Sequence, residues 1–330
     1  MLLVIFFISI WMIRLIPGSY EDLIMADEKQ SLEYNKSFQN TLPLFYFSML
    51  PEQEIIFNGL NVFPHFIWNG LQCSFHQKLK QYVSMDFGNS LIDQVPVKTK
   101  ISKAFPWSLA LQIPALFIVI ILSFWVAYRS VRFPNSKWMQ SIGLILVWLH
   151  SVPGFWLATL LLLLFANPDA LHLFPAGMQG VASKNPFEIW IYFPNYYILP
   201  LCCLVIPSLA YLTRFIKNGL EESIQKPYWT RALSSGLSWK QALRKEALPN
   251  ALIPLIVWVS GIFPALISGA LIIEQIFSIP GLGRLMFQSI SSRDWPVVEF
   301  LFLLGAMMTI LGFLISDFLL RYFDPRIQNQ

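Results

Sequence analysis

From Pro106 to Tyr128 the chain carries no Asp, Glu, Lys or Arg, and the same holds from Trp138 to Ala166, from Ile189 to Thr213 and from Ala251 to Ile273. No other feature constrains the fold as strongly. A bilayer offers backbone amides no water, and about 20 apolar residues are what a helix needs to cross its hydrocarbon. Two shorter runs bring the expected number of transmembrane helices to six: Met1 to Ile16, with Arg14 as its one charge, and Phe300 to Ser316, continuing to about Arg321. Composition agrees, since 55% of residues are hydrophobic and 13% charged, against about a quarter charged in soluble domains. Mean hydropathy is +0.55. The expected class is an all-α polytopic membrane protein, with lipid as its surroundings.

Basic residues set the expected sidedness. Arg129, Arg132 and Lys137 follow the second run, and Arg214, Lys217, Lys226, Arg231, Lys240, Arg244 and Lys245 lie between the fourth and fifth. Lys184 is the only base from Asn167 to Glu188, which places that loop outside. Alternation then puts both termini in the cytoplasm. Met1 to Ile16 lacks the leading basic residues and the small-residue cleavage site of a signal peptide, so it reads as a short first span whose Arg14 snorkels outward. Its start is abrupt, as it would be if a few upstream residues were missing. Ser19 to Phe105 is polar and mixed in charge. Its recurring aromatics, among them Phe57, Phe63, Trp68, Phe75 and Tyr82, argue for a compact external loop domain.

Pro194, Pro200 and Pro207 in the fourth run, and Pro254 and Pro264 with Gly261 and Gly269 in the fifth, imply kinked and closely packed helices. Ser151-Val152-Pro153-Gly154 breaks the third run near its middle. Patterns that carry bond chemistry do not occur. Cys73, Cys202 and Cys203 form no CxxC pair and read as packing, and His65, His76, His150 and His172 make no HExxH. With no GxxxxGK[ST] either, no metal or cofactor is expected, and ATP, if used, is bound by another chain. The net charge of +4 sits mostly in loops and does not imply nucleic acid.

Between the fourth and fifth runs lies a polar stretch, Gln225 to Pro254. Trp239, Ala242, Leu243 and Ala247 recur there at helical spacing, while Lys240, Arg244 and Lys245 fall elsewhere on the wheel. The spacing predicts a short amphipathic helix with a basic side, and Gly236 supplies a break before it. For a basic loop taken alone, topology is the ordinary explanation. The order of residues points further. Ala232-Leu233-Ser234-Ser235-Gly236, followed by Leu248-Pro249-Asn250-Ala251-Leu252-Ile253-Pro254, resembles the cytoplasmic EAA loop of ABC importer permeases of the dipeptide, oligopeptide and nickel class, with Ser234 in place of a second Ala. Phe277 to Arg284 (FSIPGLGR) resembles that family's external turn, and Arg293 to Val298 (RDWPVV) its R-D-Y-P-V-V. Asp86 to Ser90 (DFGNS), Ser151 to Trp156 and Asp324-Pro325-Arg326 are similar to further family motifs in family order. The resemblance is dense from about Met85 to Ile327 and thin before it.

The resemblance implies a type I ABC importer permease fold divided into a first helix (1–16), the external loop domain (17–105) and a permease core (106–330) whose coupling loop is 217–250. It implies half of a two-permease pore in the bacterial inner membrane. The expected partners are a second permease, two cytoplasmic ATP-binding subunits and an external substrate-binding protein. The coupling helix would dock in a groove of an ATPase through Tyr228, Ala232, Ser234, Gly236, Leu237 and Trp239. Gly236 would permit the turn, Ala232 and Ser234 close approach, and Leu237 and Trp239 apolar anchoring. Pro280, Gly281, Gly283 and Arg284 would form the turn at the outer gate. The chain itself would do no bond chemistry, hydrolysis falling to the ATPases.

Glu274, at the outer end of the fifth run, reads as an interfacial carboxylate rather than a proton relay. His150 is expected to hydrogen-bond a neighbouring helix, and Asp317 to pair with Arg321. The competing reading is an ion-coupled secondary carrier acting without an ATPase, which calls for intramembrane carboxylates and internal repeats. The runs here are nearly charge-free. A membrane enzyme would need paired acids or a His cluster, and the spans carry neither.

Overall fold

The computed structural model describes residues 73–249, 251 and 271–323, with 4, 6–8, 11, 47–49 and 66–68. Most of the first span, most of the fifth and the Asp324-Pro325-Arg326 end lie outside the described residues, and with them the full count of spans and the side of each terminus. The described residues are overwhelmingly helical. One small addition to the all-α expectation lies in the 17–105 segment, where β1 (Phe47–Met49) pairs antiparallel with β2 (Phe66–Trp68).

The helices in order are α1 (Ser74–Val83), α2 (Val97–Arg132), α3 (Lys137–His150), α4 (Gly154–Phe165), α5 (Pro186–Tyr192), α6 (Asn195–Ile224), α7 (Pro227–Ser234), α8 (Trp239–Ala242), α9 (Leu271–Ile276), α10 (Leu282–Ser291) and α11 (Trp295–Phe323). Among the described residues α2, α6 and α11 are long and apolar enough to cross a membrane. The second span starts earlier than the apolar run does, because Val97 to Phe105 joins it as helix with its lysines included. Pro114 inside α2 has no N–H for the carbonyl of Ala110, and the Trp190 indole of α5 donates to that oxygen at 2.7 Å. A neighbouring helix thus supplies the hydrogen bond the proline removes.

Two expected spans differ from a single straight helix. The run Trp138 to Ala166 bends by 103° between α3 and α4. Pro153 denies helix to Val152 and serves as the N-cap residue of α4. Ile189 to Thr213 is also divided. Asn185 caps α5 by accepting from the Phe187 amide, α5 ends at Tyr192, and α6 starts after Pro194 and continues through the polar residues to Ile224. His150 meets the expectation set for it, its Nδ1 lying 3.1 Å from the Pro207 carbonyl oxygen of α6. Cys73 and Cys203 are buried and Cys202 half-buried, all as free thiols.

The chain falls into two compact units, Met1–Lys100 with Gln288–Leu303, and Ile101–Phe287 with Leu304–Gln330. The core of the larger unit gathers Leu111, Tyr197, Leu212, Ile216, Leu220 and Phe277. In the smaller unit Phe6, Cys73 and Phe75 are buried together, with Leu79, Tyr82 and Leu303 packed against them.

Candidate functional site: a coupling element and an outer turn

The polar stretch folds as a helix, a turn and a second helix. Pro227 opens α7, where its missing N–H costs nothing. Gly236 has φ of +89° with nothing within 4 Å of where a Cβ would stand, so backbone conformation alone selects glycine there. Ser238 then forms a capping box: its hydroxyl accepts from the Gln241 amide, and Gln241 Oε1 accepts from the Ser238 amide at 3.0 Å. After α8 the chain continues as a π turn, Leu243–Ala247. Ala242, Leu243 and Ala247 are buried, and Lys240, Arg244 and Lys245 are exposed, which is the division the spacing predicts.

The six coupling candidates are not placed alike. Ser234 and Gly236 are exposed, Tyr228, Leu237 and Trp239 are half-buried, and Ala232 is buried. The Trp239 ring meets Trp229 edge-on at 6.0 Å and Tyr128 of α2 at 6.2 Å, and the Arg132 guanidinium lies 5.9 Å from its centre. Trp239 and Leu237, each half-buried, pack on their own chain's core, and Leu233 is an exposed large apolar side chain of this segment. Gly219 of α6 runs close to Ala251, where an added Cβ would lie 3.5 Å from the Ala251 Cβ. The segment thus packs on α2 through Trp239, and the residue just after it, Ala251, packs on α6.

The Phe277 to Arg284 turn is organised by Glu274, and what the sequence does not show is that this carboxylate is enclosed by protein. Glu274 is fully buried, at 0% exposure, because its partners surround it. Ser108 of α2 donates to Oε1 at 2.8 Å, and the Arg284 amide donates to Oε2 at 3.0 Å. The same Ser108 hydroxyl accepts from the Leu282 amide at 2.8 Å, and the Arg284 guanidinium donates to the Ser278 carbonyl at 2.8 Å. Around this carboxylate there is no room for side chains. A Cβ at Gly281 would lie 2.4 Å from Glu274 Oε2, and one at Gly283 would lie 2.7 Å from the Leu271 Cα. The two glycines singled out in the sequence are explained by what they enclose. The loop before α5 closes the turn, with the Met178 amide donating to the Phe277 carbonyl at 3.0 Å and Gln179 to the Ser278 hydroxyl.

Sequence reasoning did not find Ser108 or Trp229. Ser108 lies 166 positions from Glu274, and nothing in either neighbourhood announces the pairing. Trp229 had a weak signal, an aromatic ten residues before Trp239 in an otherwise polar stretch. The remaining motifs, Asp86 to Ser90 and Arg293 to Val298, meet each other in the smaller unit through Asp294, which the Ser90 hydroxyl and the Leu91 amide both reach.

With these elements in place, comparison with known proteins is specific. The family described as binding-protein-dependent transport system inner membrane component matches residues 119–329. The chain is 32% identical over 244 residues to the dipeptide transport system permease protein DppB of Lactococcus lactis subsp. cremoris, covering 74% of this chain and 76% of that protein. It is 31% identical over 252 residues to the oligopeptide transport system permease protein AppB of Bacillus subtilis, with 76% and 78% covered. A further relative is the peptidoglycan transport system permease protein YejB of Agrobacterium fabrum, 31% identical over 261 residues, with 77% and 71% covered. The chain belongs to the binding-protein-dependent transport system inner membrane components, the permease subunits of ABC transporters.

Proposed function

We propose that this permease moves di- or oligopeptides inward, as half of a pore completed by a second, different permease chain, and that the 217–250 segment is where ATP-driven motion enters it. The observation that carries this reading is the build of the coupling element. A short polar helix pair is turned at a positive-φ glycine, capped at Ser238, packed on α2 through Trp239, and followed by Ala251 lying against Gly219 of α6. An element packed in this way transmits displacement as a rigid body instead of absorbing it. The exposed Leu233, Ser234 and Gly236, rimmed by Arg231, Lys240 and Arg244, form the face offered to the ATPase subunits. An external binding protein delivers the solute, and Pro280, Gly281, Gly283 and Arg284 keep the outer gate in shape. On this reading the protein spans the membrane six times with both termini inside.

The test is Gly236→Leu. A side chain at φ near +89° costs roughly 1–2 kcal/mol, and leucine also adds bulk to the docking face. Association with the ATPase subunits and ATP-driven uptake of a labelled dipeptide are both expected to fall at least tenfold with the protein still in the membrane. Unchanged values for both would overturn the assignment.

A further inference from the structure

Asp86 to Ser90 and Arg293 to Val298 were singled out in the sequence, and the coupling element and outer turn use neither. Both belong to the smaller unit. Asp294, immediately before α11, has 0% exposure. The Ser90 hydroxyl donates to its Oδ2 at 2.6 Å, the Leu91 amide to its Oδ1 at 3.0 Å, and the Lys100 ammonium lies 3.4 Å away. Lys100 also donates to the Ser90 hydroxyl at 2.7 Å and pairs with Asp93 at 3.0 Å. Five residues further along, Glu299 is 3% exposed and pairs with Lys78 of α1. Beside it the Phe87 and Phe300 rings lie 4.0 Å apart, and Tyr82 is 6.2 Å from Phe300. Burial and the Glu299 carboxylate together push the Tyr82 hydroxyl above its ordinary range.

Three separate pieces of the external segment are thus fixed to the first turns of α11: helix α1 through Lys78, the turn after Gly88 through Ser90 and Leu91, and the start of α2 through Lys100. We infer that Asp294 is a positioning residue which fastens the external segment 74–100 to the outer end of the sixth span, so that the two travel as one body through the transport cycle. The warrant is the imbalance between the possible breaks. Parting Asp294 from its donors strands a carboxylate that has no exposure, whereas an exposed ion pair parts at little cost. A moving pore yields first where separation is cheap, and that is not here.

The inference rests on the ATP-driven reading only for the trigger used to test it. In the full complex with its partner subunits in nanodiscs, the three native cysteines are replaced by alanine. Spin labels are placed at Ile92→Cys and Phe302→Cys, whose parent side chains are 44% and 52% exposed. Label separation is measured without nucleotide and with ATP trapped by vanadate. One narrow distribution, the same in both states, is expected, and Asp294→Ala should broaden it. Where Asp294→Ala fails to fold, Ser90→Ala and Lys100→Gln each remove one tie and should broaden it less. A shift between nucleotide states larger than the width set by the labels themselves would overturn the inference, and so would an Asp294→Ala distribution as narrow as the parent's. If the complex hydrolyses no ATP, the coupling proposal fails, while the resting-state comparison of parent and Asp294→Ala still decides the role of Asp294.

Discussion

Gly283 shows how much a single position can settle. Its missing Cβ makes room for the Leu271 backbone, at 2.7 Å from Cα and 2.9 Å from N, and a backbone cannot swing aside as a side chain can. Gly283→Ala is therefore expected to destabilise the permease by about 1–3 kcal/mol through overpacking, seen as a lower melting temperature of the detergent-purified protein. Gly143, which has nothing within 4 Å of its Cβ site, should accept alanine with little change. Asp93 offers a different kind of test. Its slight burial works against the charged form, but the Lys100 ammonium and the Val95 amide outweigh that and hold its carboxyl below the usual range. A depressed folded value adds stability above the unfolded pKa of about 4 and loses it only as acid takes pH through the folded value. Amide exchange in the turn from Asp86 to Val97, corrected for its intrinsic pH dependence, should accordingly be flat from neutral to mildly acidic conditions. Loss of protection near neutrality would contradict the ionised Asp93–Lys100 pair. None of this was legible one residue at a time. Glu274 looked interfacial because its position along the chain is interfacial, and only the approach of Ser108 from α2 shows that it is enclosed.

At the scale of the element, the coupling segment was legible because its information is local. The spacing of Trp239, Ala242, Leu243 and Ala247 sorts buried from exposed without knowledge of any partner, and Ser238 with Gln241 is a capping signature readable in four residues. What the spacing could not say is against what the apolar side is buried. Part of it is the chain's own α2, through Tyr128 and Arg132, and on the proposed reading Trp239 acts as a brace. Trp239→Ala should then loosen the element without removing its docking face. The complex is expected to keep hydrolysing ATP while solute moved per ATP falls severalfold, and Trp239→Phe should restore part of that ratio by keeping an aromatic edge against Trp229. Equal losses of hydrolysis and transport would point instead to Trp239 contacting the ATPase directly.

For the molecule as a whole, hydropathy located apolar runs but not the path of the helices through them. Charge-free runs became one long helix from Val97 to Arg132, a division at Phe193-Pro194 and a sharp corner at Ser151 to Pro153. Composition reports affinity for lipid, and the path of the chain is decided by prolines and by which neighbour supplies their lost hydrogen bonds, as Trp190 does for Ala110. The corner carries its own implication. With 14 residues in α3 and 12 in α4, at about 1.5 Å each, neither arm is as long as the roughly 30 Å of hydrocarbon is thick. The peptide groups exposed at such an elbow are tolerable in oil only beneath a protein roof. The His150 contact pins the elbow to α6, and shelter for its peptide groups becomes a demand that this chain places on whatever packs beside the corner.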